Sequence, residues 1–270
     1  MDFPGWLHWV DECPSTNTWA LTHLEHLAPG TVVFTHRQTA GRGQYDRPWY
    51  APKGVLTASF ILELPRSQLT GLSLGAGLAV IHALEALLPD YRDCFGLKWP
   101  NDVLIADRKV AGILCETASR EAVAQARVVV GVGLNYAVNF AEAGLTLDQM
   151  GHAISLHQLS AWLPEELLLL ERLRDYLVQM VAMLNQTEGV GLHAYLPELR
   201  DRDILRHRTF TLETATERIS GQGAGLDEKG RLCLRLADGS LRAFSTGQVL
   251  DWRLTASRSP SPPDRSGNGV

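Results

Sequence analysis

The chain has 270 residues, 45% of them hydrophobic and 20% charged, and its 25 Lys and Arg against 30 Asp and Glu leave a formal net charge of -5. That length accommodates one large domain and a small one without disulfides or metals to support the core, and the acidic balance argues against nucleic acid as the main partner. Cys13, Cys94, Cys115 and Cys233 form no CxxC pair, no signal-peptide pattern opens the chain, and the apolar stretch Leu163 to Leu184 is broken by Glu165, Glu166, Glu171, Arg172, Arg174 and Asp175, which together exclude a disulfide or zinc framework and a lipid-facing span and fit a reducing cytoplasm.

Ser15-Thr16-Asn17-Thr18 precedes Trp19-Ala20-Leu21 and Leu24, the pattern of an N-cap opening an amphipathic helix. The same hydroxyl and amide groups suit a small polar ligand, so Ser15, Thr16 and Asn17 are candidates for both roles. A strand is expected over Thr31 to Thr35, followed by a long glycine-punctuated loop from Arg37 to Trp49 and a second strand from Val55 to Leu62. Within the loop, Gly41 and Gly43 allow close backbone approach to a ligand, and Arg42 and Arg47 present planar donor arrays to phosphate or carboxylate. Trp49 can stack on a base or wall off a pocket. No GK[ST] follows, so this is not a P-loop; a mobile surface loop is the alternative. Thr70 to Leu88, ended by Pro89, reads as a buried helix.

Residues 98 to 116, KWPNDVLIADRKVAGILCE, set polar groups between two strand-like runs, Val103 to Ile105 and Val110 to Leu114, with Ala106-Asp107-Arg108 as the connection and Lys109 opening the second strand. Pro100 excludes a helix before the hairpin. A surface hairpin with solvated charges competes with a functional reading. Arg127 to Asn135, RVVVGVGLN, is a buried strand with a Gly-x-Gly segment; lacking a third Gly and an opening helix it is no dinucleotide-binding turn, which leaves a structural bulge or a backbone set against a flat ligand. Residues 136 to 163 read as loop-rich, Pro164 to Gln186 as an amphipathic helix and Val190 to Leu199 as a short one. Short strands follow at Thr209 to Glu213, Glu217 to Gly221, Leu232 to Leu236, Leu241 to Phe244 and Gln248 to Leu250, a small β-barrel pattern, before a Ser-, Pro- and Gly-rich tail.

STNT, QTAGRGQYDRPW, KWPNDVLIADRKVAGIL and VVVGVGLN, in that order and spacing, resemble the biotin-protein ligases over roughly residues 8 to 252. The resemblance implies an α+β fold: a mixed sheet with helices, related to class II aminoacyl-tRNA synthetases and lipoate ligases, over residues 1–205, an SH3-like barrel over 206–254 and a disordered tail over 255–270. With only about 14 residues before Ser15, the chain is expected to be of the ligase-only class, without an N-terminal DNA-binding domain.

The implied activity is two-step: biotin and ATP, with Mg2+, give biotinyl-5'-AMP, and a lysine of a biotin carboxyl carrier protein of acetyl-CoA carboxylase then takes the biotinyl group. The implied enzyme is a monomer or homodimer. A lipoate- or octanoate-type protein ligase and a non-catalytic synthetase-like binding module are the alternatives. By resemblance, Lys109 touches both the biotin carboxylate and the α-phosphate, Arg42 and Arg47 hold anions, Ser15, Thr16 and Gln38 match positions at the biotin ureido group, and Trp49 and Asn135 match positions at the adenylate. Asn101 and Asp102 stand at the acceptor side, with Asp102 positioning or deprotonating the incoming lysine, and Gly112 lets its strand pass close to biotin. No residues are named for the metal. Lys98 and Arg108 keep the solvated reading. Gln44 departs from the pattern, standing where many relatives carry a basic residue.

Overall fold

The computed structural model describes residues 3–118, 124–146, 152–186 and 192–252; the expected disordered tail lies outside them. Seven strands form a mixed sheet in the order β1-β2-β3-β7-β6-β5-β4, where β1 is Leu7–Trp9, β2 Val32–Thr35, β3 Val55–Pro65, β4 Phe95–Lys98, β5 Asp102–Ile105, β6 Arg108–Thr117 and β7 Gln125–Asn135. Only β1 and β2 run parallel. Strands β1 and β4 were not foreseen: they are short edge strands of three and four residues, too brief for a period-2 pattern to stand out.

Alternation along the central strands sorts the sheet into two faces. Ala58, Phe60, Val130, Val132 and Ile113 belong to the large core with α2 (Leu72–Leu87) and α3 (Glu166–Gln186). The opposite face carries Thr57 and Ser59 of β3, paired with Gly133 and Gly131 of β7, which in turn pair with Gly112 and Leu114 of β6. Glycines there leave a depression in the sheet. Helix α1 (Thr16–Thr22) covers one end of this face, packing Ala20 with Leu24, Leu27, Val33, Ile61 and Val129, and so fixes where its first turn points.

The central hairpin is tighter than the sequence suggested. Ile105 pairs with Arg108, so the connection is the two residues Ala106 and Asp107, both at positive φ (47° and 59°), the conformation that matches hairpin twist. Asp107 accepts two hydrogen bonds from the buried Arg208, which holds this non-glycine turn in place. Arg108, not Lys109, opens the second strand.

After α4 (Leu196–Asp201), a second sheet forms in the order β11-β10-β9-β8-β12, with β8 Thr209–Glu213, β9 Arg218–Leu226, β10 Leu232–Arg235, β11 Leu241–Phe244 and β12 Gln248–Leu250. All its pairings are antiparallel. The expected barrel is an open five-stranded sheet: among the described residues no pairing joins β11 to β12. Its apolar side, with Phe210, Leu212, Leu234 and Trp252, is continuous with the main core, and Trp99 donates its indole N–H to Gly230 at 3.2 Å. The second sheet is thereby held beside the KWPND segment.

Candidate active site

A cleft of about 250 Å³ opens over the glycine-lined face. Of the residues singled out from sequence, Ser15, Thr16, Asn17, Gln38, Arg42, Gly43, Gln44, Arg47, Trp49, Asn101, Asp102, Lys109 and Gly112 line it. Gly41 and Asn135 do not.

The hairpin end of the cleft is built by a bulge. Val103 pairs with Ala111 but Leu104 with Lys109, so Val110 is an extra residue that shifts the alternation and brings Lys109 and Gly112, three apart, to the same face. Asp102 sits directly across from Gly112. The Lys109 side chain runs over Gly112, where a Cβ would stand 3.0 Å from Nζ and 3.1 Å from Cε, and its ammonium reaches Asp102 at 2.5 Å. Lys98 lies 3.7 Å from the other Asp102 oxygen. Burial works against the charged form of Asp102, but Lys109, Lys98, the hydrogen bond from Lys109 and Arg47 outweigh it and hold the carboxyl below its ordinary 3.8.

One expectation changes here. Lys98 is not a solvated charge: its side chain is 17% exposed, lines the cleft and sits 5.7 Å over the Trp252 ring. Gly112 makes room for the protein's own Lys109 and Trp49, whose ring carbon comes within 3.2 Å of that Cβ position. Arg108, by contrast, is exposed and donates to the Ala153 carbonyl at 2.9 Å.

Asn101 and Asn135 work on the backbone. Asn101 Nδ2 donates to the Ile113 carbonyl at 2.6 Å while Ile113 N–H donates to the Asn101 carbonyl, clamping the turn before β5 to β6. Asn135 donates to the Lys109 carbonyl at 3.1 Å from outside the cleft, and so steadies Lys109 rather than lining the site.

The glycine loop folds back on itself, with Gly43 N–H donating to the Arg47 carbonyl at 2.7 Å and Trp49 N–H to the Gly41 carbonyl at 2.9 Å. Gly41 belongs to this fold-back: a Cβ there would meet the Trp49 carbonyl and the Gln38 amide. Trp49 drops its indole onto Gly133, 5.3 Å from the Lys109 ammonium, with its ring N–H buried and unpartnered. At the loop tip Tyr45, at φ 58°, accepts the Gly247 N–H at 2.9 Å, and Gly247, Gln248 and Val249 complete the cleft wall.

At the α1 end, Ser15 is the N-cap, accepting from Thr18 N–H at 3.5 Å, and also faces the cleft, so both readings of this residue hold together. Thr16 N–H donates to Gln38 Oε1 at 2.9 Å, and Ser59 links Thr16 and Asn17 at 2.8 and 2.6 Å. Asn17 Nδ2 donates to the Leu114 carbonyl at 3.1 Å and to Glu116 at 2.8 Å, and Arg42 donates to both Glu116 oxygens at 2.9 and 3.0 Å.

Thr57, Ser59, Glu116, Gly131 and Gly133 were not singled out individually. Their signal was periodic: polar or glycine residues at alternate positions, Thr57-x-Ser59, Gly131-x-Gly133 and Gly112-x-Leu114-x-Glu116, in otherwise apolar strands. Gln248 and Val249 gave no such signal.

A cation-lined cleft on a mixed sheet, with strand glycines as its floor and a glycine loop above, defines a site built to handle anions. Residues 9–135 match the model of the Biotin/lipoate A/B protein ligase family, and 209–250 that of the Biotin protein ligase C terminal domain. The Biotin--[acetyl-CoA-carboxylase] ligase of Mycobacterium tuberculosis is 33% identical over 262 residues, 92% of this chain and 91% of that one. The Bifunctional ligase/repressor BirA of Escherichia coli is 31% identical over 244 residues, covering 87% of this chain and 70% of its own. Among solved structures, the biotin protein ligase from Aquifex aeolicus in complex with biotin and ATP superposes with a TM-score of 0.72 at 25% identity, covering 90% of this chain and 97% of that one. The chain belongs to the biotin protein ligase family.

Proposed function

We propose that the protein is an ATP-dependent ligase that converts biotin to biotinyl-5'-AMP and passes the biotinyl group to a lysine of a biotin carboxyl carrier protein. The observation that carries this reading is Lys109, held over Gly112 in a cleft that also gathers Arg42, Arg47 and the Ser15–Asn17 turn, in a chain of this family. The cytoplasm, where ATP and carrier meet, is the compartment that suits it. Residues 1–205 form the catalytic unit and 206–254 the C-terminal unit, in line with the two family matches.

In the first step a carboxylate is already the nucleophile, so no base is required; the barrier lies in bringing two anions together and in the charge on the phosphorus oxygens. Lys109 answers both demands, and moving from Asp102 to the substrate anions exchanges one carboxylate partner for another. Arg47 and Arg42 line the same cleft and hold phosphate charge. Ser15, Thr16 and Gln38 supply neutral donors and acceptors for a ureido group, where an unpaired buried polar atom penalises the wrong acid. Asp102 in the cleft and Glu116 beside it are each engaged by a cation, and among the described residues no group of three metal-ligating side chains is assembled. Mg2+ brought in with ATP would offset part of the negative charge of the triphosphate.

In the second step Asp102 faces the incoming lysine. A carboxyl held ionised is a weak base, so it orients the neutral amine and, once Lys109 has turned to the adenylate, stabilises the positive charge that develops on nitrogen as the amide bond forms; AMP leaves and the proton passes to solvent.

The test is incubation with ATP, Mg2+, an isolated biotin carboxyl carrier domain and either biotin or lipoate, read by carrier mass. A gain of one biotinyl group, absent with Lys109→Ala, supports the reading; a lipoyl gain or no gain overturns it.

A further inference from the structure

Glu116 stands just beyond the cleft lining, two residues past Leu114 on the same face of β6 as Gly112 and Leu114, and binds two groups that do line the cleft. One is the Arg42 guanidinium of the glycine loop; the other is the Asn17 amide of α1. Its side chain is 23% exposed and that of Arg42 34%, so this ion pair is partly shielded from water. The Asn17 amide is oriented from both ends, by Ser59 at its oxygen and by Leu114 and Glu116 at its nitrogen. A carboxylate beside a cleft that has to admit anionic substrates is costly unless it has a structural duty. Its duty is visible in the contacts: it joins the loop's cation to the polar turn through one rigid strand.

We propose that Glu116 is a positioning residue with two separable jobs, resting on the ligase reading given above. Its charge fixes where the Arg42 guanidinium stands as an anion ligand and holds the base of the glycine loop down on the sheet. Its acceptor oxygen fixes the Asn17 amide on the biotin side. Because the two contacts differ in kind, two substitutions separate them. Glu116→Gln retains an oxygen for the Asn17 N–H and loses the charge facing Arg42. Glu116→Ala loses both.

The experiment measures KM and kcat for each substrate in pyrophosphate release, together with backbone hydrogen exchange of residues 39–44 in the ligand-free protein. The Gln variant is expected to raise KM for ATP by about tenfold, the scale of one charge-assisted hydrogen bond, with KM for biotin unchanged. The Ala variant raises both, and both variants exchange faster in the loop. A Gln variant with unaltered KM for ATP, or with kcat lowered and both KM values intact, overturns the proposal, since a purely structural loss reduces active enzyme without selecting a substrate. Loop exchange is read without substrate: unchanged exchange overturns the proposal even if the wild-type protein ligates biotin, and faster exchange supports the anchoring role even if it does not.

Discussion

Lys109 and Gly112 form a single device: the lysine side chain crowds the space that a side chain at position 112 would fill, and from there its ammonium reaches Asp102 at 2.5 Å. The bulge at Val110 brings the two to one face, and Asn135 steadies the lysine's backbone.

Gly112→Ala therefore acts on Lys109 before it acts on the fold. A Cβ at 3.0–3.2 Å from Nζ, Cε and the Trp49 ring is too tight, and the flexible lysine end gives way first. Adenylate formation is expected to fall by about 10- to 100-fold, the scale for a misplaced charge stabiliser, with little change in melting temperature. Pyrophosphate release and a thermal melt on the same sample check this.

Asp102→Asn separates the half-reactions. The amide keeps a hydrogen-bonding oxygen but not the charge that holds two cations, so transfer to the carrier lysine is expected to slow much more than adenylate formation. Single-turnover measurement of each step checks it; equal losses would remove Asp102 from the acceptor side. The same carboxyl links stability to pH. Its folded-state pKa lies below the ordinary 3.8, so its stabilising contribution is present above that value and is lost as pH falls through the depressed one.

Asp203 has the opposite sign. In the segment between α4 and β8, its Oδ1 accepts the Leu205 N–H at 2.9 Å, while Oδ2 is buried without a partner. Burial pushes its pKa from 3.8 up to about 6, against the Leu205 hydrogen bond and the charges of Arg206 and Arg208. The folded protein then binds more protons than the unfolded chain between those values, and stability falls as pH rises through them, by on the order of 3 kcal/mol. Asp203→Asn should flatten that slope and raise the melting temperature near pH 7. Melts of both proteins from pH 4.5 to 7.5 are the check.

Gln44 lines the cleft where many relatives are expected to carry a basic side chain. Gln44→Arg adds a cation to the loop over the adenylate, and dissociation of biotinyl-5'-AMP is expected to slow by about tenfold if one charge-assisted contact forms. Rapid-mixing release of labelled adenylate measures it, and an unchanged rate removes Gln44 from the retention mechanism.

Local pattern alone determined a good deal. The Ser15 cap, the buried helix now seen at Leu72–Leu87, the strand at Thr209–Glu213 and the strands at Leu241–Phe244 and Gln248–Leu250 follow from caps, periodicity and turn residues, which act over a few positions. The ordered motifs likewise named most of the cleft lining. Tertiary structure decided the partners. Whether Lys98 is solvated depends on Trp252, 154 positions away by the numbering; whether Arg42 is tethered depends on Glu116; whether Asn135 faces a ligand or a carbonyl depends on how β7 meets β6. Register and one bulge set those relations, and a side chain's hydrogen-bonding capacity is the same in the sequence whether its eventual partner is a substrate or another strand.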